Sequence, residues 1–99
     1  DTGAAAPVAQ ALLAPVLRTP GVLRVPPDAA GRRAWVDLDV HVTETGEVDV
    51  VRRSGGSSDR ALIDAAIACA RGMRFFPAER AGVPVAVWCT QRFEFGAPR

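Results

Sequence analysis

The residues best equipped for chemistry lie on one short run, "WVDLDVHV", residues 35–42. Asp37, Asp39 and His41 recur there at every second position, and Arg92 can pair with one of the aspartates from a later part of the chain. Two carboxylates and an imidazole close together are the raw material of general acid–base catalysis. That chemistry needs a recess that excludes water and shifts a pKa, whereas period-two spacing places all three on the flat face of a strand. They read as a solvated face, and no catalytic residue is assigned. His41 has no Ser or Cys beside it in the pattern, so neither a triad nor a ligand set takes shape.

Cys69 and Cys89 are the only thiols. They form no C-x-x-C and the chain has a single His, so no metal site is expected, and no cofactor. Both fall on faces expected to meet between a helix and the last strand. There they make either one disulfide or two small buried hydrophobes. Closing a loop of about twenty residues would stabilise by roughly 3 kcal/mol in the chain-entropy model, provided the Cα atoms lie within about 7 Å. Spacing alone leaves both readings open.

Three strands and a helix must position these groups. Val36, Leu38, Val40 and Val42 alternate with Trp35, Asp37, Asp39 and His41, the signature of a strand with one buried face. Thr43–Gly46 supplies turn chemistry, and Val48–Val51 resumes strand-like residues, which predicts a β-hairpin. Gly55-Gly56 breaks the second strand, and Ser57 or Ser58 is the expected helix N-cap, with Asp59 in the first turn. Leu62, Ala66, Cys69 and Met73 then form one apolar stripe, with Ile63, Ile67 and Ala70 beside it. Arg71, Gly72 and Pro77 end the helix.

"VAVWCTQRFEF", residues 85–95, alternates again. Val85, Val87, Cys89, Gln91, Phe93 and Phe95 share the more apolar face. The fold class expected is α+β: a small three-stranded antiparallel sheet, β-β-α-β in strand order 2-1-3, with one main helix on one face. The third strand would then be an edge, reached by a right-handed crossover. Trp35 and Trp88 fall on the face opposite the helix, where packing against neighbours is the favoured reading.

Composition sets the outer limits. Ninety-nine residues make one domain, 48% hydrophobic and 23% charged, as in an ordinary globular chain. A net charge of +1, with all twelve basic residues Arg, offers little long-range attraction to nucleic acid or anionic lipid, so no nucleic-acid partner is expected. No run approaches the roughly 18–20 apolar residues that span a bilayer, so this segment is not expected to insert in a membrane. The chain opens on Asp1 rather than Met, which reads as part of something longer, with any anchor or export signal upstream. Residues 1–34, with Pro at 7, 15, 20, 26 and 27, read as an Ala/Pro-rich linker or extension. A short helix is allowed in "VAQALLA". Residues 35–96 read as the folded domain.

From Leu38 to Phe95 the chain resembles the C-terminal domain of TonB, the periplasmic energy transducer of Gram-negative bacteria. The resemblance is carried by the hairpin with Gly46 and Val48, the Ser54-Gly55 break, "LIDAAI", "MRFFPA", "AGVPV" and a closing strand, in the family's order and spacing. The family usually carries a Tyr-Pro upstream; this chain has no Tyr, and "RVPPDAAGRR" stands in that place.

The resemblance implies a non-enzymatic periplasmic domain of an inner-membrane-anchored protein. Such domains bind the TonB box of an outer-membrane TonB-dependent transporter, while inner-membrane motor proteins, engaged through the N-terminal part, supply force. Binding of this kind resembles β-augmentation, in which an extended segment joins a sheet edge through main-chain hydrogen bonds. The edge so implied is Val85, Ala86, Val87, Trp88, Cys89, Thr90, Gln91 and Arg92. A disulfide between Cys69 and Cys89 would be compatible with that compartment. The alternative is a TonB-like or TolA-like envelope adaptor of the same fold that does not drive import.

Overall fold

The structure, a computed structural model, describes residues 11–27, 31 and 33–96. In chain order the elements are β1 (Leu12–Leu13), β2 (Val16–Thr19), β3 (Ala34–Val42), β4 (Val48–Gly56), α1 (Arg60–Arg71), β5 (Arg74–Phe76), β6 (Ala78–Arg80), β7 (Val83–Val85) and β8 (Val87–Phe95). This overturns the expected fold class. A single three-stranded sheet under one helix does not describe the chain, which is mostly β: among the described residues, eight strands in three sheets accompany one helix.

The difference arises from the segments expected to be linker and loop. Leu12 and Leu13 pair with Arg80 and Glu79, and β7 adds to the other side of β6, giving the sheet β1-β6-β7. Val16 and Leu17 pair with Phe76 and Phe75, giving the sheet β2-β5. Part of the expected linker is thus strand. The short helix allowed in "VAQALLA" lies partly outside the described residues, and its described end, Leu12–Leu13, is extended.

The third sheet has the order β4-β3-β8 and is antiparallel throughout. Its central strand, β3, turns Val36, Leu38, Val40 and Val42 inward, and each is fully buried. Leu62, Ala66, Cys69 and Ala70 of α1 close over them, with Met73, Phe75, Phe93 and Phe95 completing the core. Burying a side chain of the size of Leu38 or Leu62 stabilises by about 1.5–3 kcal/mol, and this layer supplies most of the driving force. Cross-strand order holds the other face of β3 outward, so the alternation read in the sequence has a physical cause.

Helix α1 begins one residue later than the serines suggest. Asp59 is the N-cap, its side chain accepting from the Ala61 N–H at 3.0 Å. Ser57 is held back because its N–H donates to the Trp35 carbonyl at 2.8 Å, which keeps it with the sheet. Its hydroxyl accepts from the Asp59 N–H instead. The far end tightens into a last turn in which the Gly72 N–H donates to the Cys69 carbonyl at 3.0 Å.

The β3–β4 hairpin is clamped to the β2-β5 sheet. Gly46, at φ +86, lets the Thr43–Glu47 turn close, and its carbonyl accepts from the Phe75 N–H at 2.8 Å. That bond and the antiparallel bridge between Glu47 and Arg74 tie the tip of the hairpin to β5.

Candidate functional site

The candidate site is the outer edge of β8. All nine of its residues, Val87–Phe95, pair with β3 without a register shift, from Val42↔Val87 to Ala34↔Phe95. Among the described residues no strand pairs with its other side. The described part of the N-terminal region does not cover it, since β1 and β2 pair with β6 and β5.

The opposite edge of the same sheet is built differently. Strand β4 pairs with β3 through two register shifts, one between Asp37 and Leu38 and one between His41 and Val42. Arg52, Arg53, Gly55 and Gly56 crowd its last turns. Arg53 folds back, Nε donating to the Ser57 carbonyl at 2.9 Å and Nη2 to the Gly56 carbonyl at 2.6 Å. Bulges and charges are the usual means by which proteins blunt an edge against unwanted pairing, and β8 lacks the bulges.

The eight residues expected to form the edge do not all lie on it. Val87, Trp88, Cys89, Thr90, Gln91 and Arg92 belong to β8. Val85 belongs to β7 and pairs with Ala78 in a different sheet, and Ala86 lies between the two strands. The alternating run in the sequence crosses that break without a mark, because Val-Ala-Val fits either strand.

Trp88, Thr90 and Arg92 point to the outer face and are laced to β3. Arg92 grips Asp37 with two bonds, Nε to Oδ1 at 2.8 Å and Nη2 to Oδ2 at 3.1 Å. Those bonds, opposed by some desolvation, hold the Asp37 carboxyl below its ordinary range and push the Arg92 guanidinium further up. Thr90 donates to Asp39 Oδ1 at 3.1 Å. The His41 ring packs against Trp88 with centroids 5.0 Å apart, and its Nδ1 lies 2.7 Å from Asp49 Oδ1. Each tryptophan carries an arginine on its face: Arg52 lies 4.5 Å over Trp88 and Arg92 lies 5.1 Å over Trp35. Asp37, Asp39 and His41 thus act as cross-strand ties that stiffen β8 against β3.

On the inner face Val87, Cys89 and Gln91 are only half-buried, because α1 packs over β3 and β4. The disulfide considered for Cys69 and Cys89 is not formed: both thiols are free. Cys69 is turned toward Gly21, where a Cβ would come within 3.1 Å of its Sγ, and Cys89 sits on β8 opposite Val40 with its sulfur accepting from Gln91 Nε2 at 3.7 Å.

Sequence reasoning missed two clefts beside Trp35. One, of about 300 Å³, is lined by Arg33, Ala34, Trp35, Arg92, Glu94, Phe95 and Gly96. The other, of about 390 Å³, is lined by Arg33, Ala34, Trp35, Gly56 and Ser57. The available signal was an Arg two residues before an outward Trp at the start of a strand.

Residues 27–96 match the family model described as Gram-negative bacterial TonB protein C-terminal. The chain belongs to the TonB C-terminal family. Members of this family are interaction domains of a periplasmic energy transducer, and the match spans every element from β3 to β8. No curated protein gave a match.

Proposed function

We infer that this TonB-type domain takes the TonB box of an outer-membrane transporter as an added strand on β8. It then passes on force supplied by an inner-membrane motor. The observation that carries the reading is the contrast between the two edges of the central sheet: β8 is long, in continuous register with β3 and, among the described residues, open along its outer side, while β4 is bulged and charged. An open flat edge is a standing aggregation hazard unless a partner uses it. Strand addition demands little of the partner's sequence beyond an extended backbone. The ties from Asp37, Asp39 and His41 to β8 suit a strand that must bear load along its length.

The test is a two-dimensional amide NMR titration with synthetic TonB-box peptides and scrambled controls. Shifts concentrated on Val87–Arg92, absent with the controls, are the expected result. Silence from every peptide at millimolar concentration, or shifts confined to β4, would sink the reading and favour an envelope adaptor with a different partner.

A further inference from the structure

Residues 12–25 run as a strap along β6, β5 and the end of α1, and four small attachments hold them there. Strand β1 pairs with β6 through Leu12 and Leu13. Strand β2 pairs with β5 through Val16, Leu17 and Thr19, with a register shift between the last two. Gly21 rests on the last turn of α1, and Leu23 packs against the core. The other large apolar side chains of the strap, Leu12, Leu13, Val16, Leu17, Val22 and Val25, are exposed and contribute little to holding it down.

The core does not depend on this strap. Among the described residues every buried apolar side chain comes from the stretch between Val36 and Phe95. That stretch lies within residues 27–96, the part that matches the family. Few buried contacts and short ladders mark segments that open at low cost. Strand β3, paired on both sides and fully buried along its inner face, belongs to the other extreme.

At Gly21 the approach is backbone to backbone. A Cβ there would lie 1.9 Å from the Cys69 carbonyl oxygen, 2.8 Å from its carbon and 3.1 Å from its Sγ. A Cβ on Gly72 would in turn lie 3.7 Å from the Gly21 Cα. Gly21 is not among the glycines at positive φ, so its missing side chain serves close approach rather than conformation. The Cys69 thiol sits under this contact and is buried.

We propose that the strap is a latch: it opens as one unit from β6, β5 and α1, baring Cys69, while the central sheet β4-β3-β8 stays folded. Strands β1 and β2 pair with β6 and β5 and not with β8, so the β8 edge is the same in both states. The inference therefore stands apart from strand addition at that edge.

The experiment combines amide hydrogen exchange with thiol labelling of the whole chain, in urea below the global unfolding transition. The protected amides of residues 12–25 should share one opening with a shallow urea dependence. They should exchange at least about a hundredfold faster than those of Val36–Val42. In Cys89→Ser, where Cys69 is the one thiol, maleimide labelling of Cys69 should follow the same shallow dependence. Gly21→Ala should speed that labelling by about 5- to 150-fold, the cost of forcing a carbon into a packed contact, while the β3 and β8 amide signals keep their positions. Exchange of residues 12–25 and labelling of Cys69 that both wait for global unfolding overturn the latch, and the native strap alone decides this. A Gly21→Ala chain in which Cys69 keeps its full protection overturns it as well.

Discussion

Replacing Gly46 by Ala tests the clamp between the hairpin and β5. A Cβ at Gly46 would lie 1.9 Å from the Phe75 carbonyl oxygen and 3.0 Å from its carbon. Both are backbone atoms and cannot rotate aside, and the Phe75 N–H is itself bonded to the Gly46 carbonyl. Gly82 supplies an internal control: its φ of +79 nearly equals the +86 of Gly46, but nothing lies within 4 Å of a Cβ there. Gly82→Ala therefore meets only the left-handed backbone penalty, about 1–2 kcal/mol. Gly46→Ala meets the same penalty, loses a hydrogen bond of about 1 kcal/mol, and must push β5 away from the hairpin, for a total of about 3–4 kcal/mol. At roughly 4–8 °C per kcal/mol for a domain of this size, the melting temperature should fall by about 12–32 °C, against about 4–16 °C for Gly82→Ala. Thermal unfolding followed by circular dichroism decides the matter. Equal losses in the two variants would refute the steric argument, because only the backbone term would then be at work.

Two further outcomes follow from the side chains around β8. The folded-state pKa of Asp37 lies below the ordinary carboxylate value, so its pairing with Arg92 stabilises the fold above about pH 4, and that contribution is lost as the pH falls through the lowered value. Urea midpoints should accordingly separate native chain from Arg92→Gln at pH 7 and converge towards pH 2; an unchanged gap contradicts the pairing. Burial pushes the Cys69 thiol up, while Cys89 is half-exposed, so a maleimide should modify Cys89 first and Cys69 only in denaturant. Mass spectrometry without reductant should then count two adducts, and none would mean a bridge.

The long elements are legible because their periodicity is sustained. Val36 to Val42 alternate over one full strand, and Leu62 to Ala70 recur over more than two turns of helix, so burial on one side leaves a pattern in the residues themselves. The five short strands leave none. Two to four residues cannot display a period, and the pairing of Leu12 with Arg80 or Val16 with Phe76 joins points some sixty residues apart with no local signature. Val85 illustrates the same limit at finer scale, since only its partner Ala78 separates it from β8. In the run Ser57-Ser58-Asp59 every residue is a good cap by type, and the choice falls on Asp59 because a sheet hydrogen bond holds Ser57 back. Strand β8 itself is legible from the alternation of Val87 to Phe95. The clefts at Trp35 are not, because they depend on where the two ends of β3 and β8 meet.

The modest pairing of the N-terminal strands has a mechanical consequence. Strand β1 holds β6 through two residue pairs and β2 holds β5 through three, whereas β3 and β8 are joined by nine. Tension entering from the N-terminal side and resisted at β8 reaches the weak attachments first. Once they open, the stretch from Leu12 to Arg33, drawn out at roughly 3.3–3.6 Å per residue, spans at most about 75 Å before the central sheet carries the full pull. Under a pull of that kind the N-terminal strands would act as a compliant leader in series with a stiff clamp, and a sudden tug would be spread over distance before it reached β8.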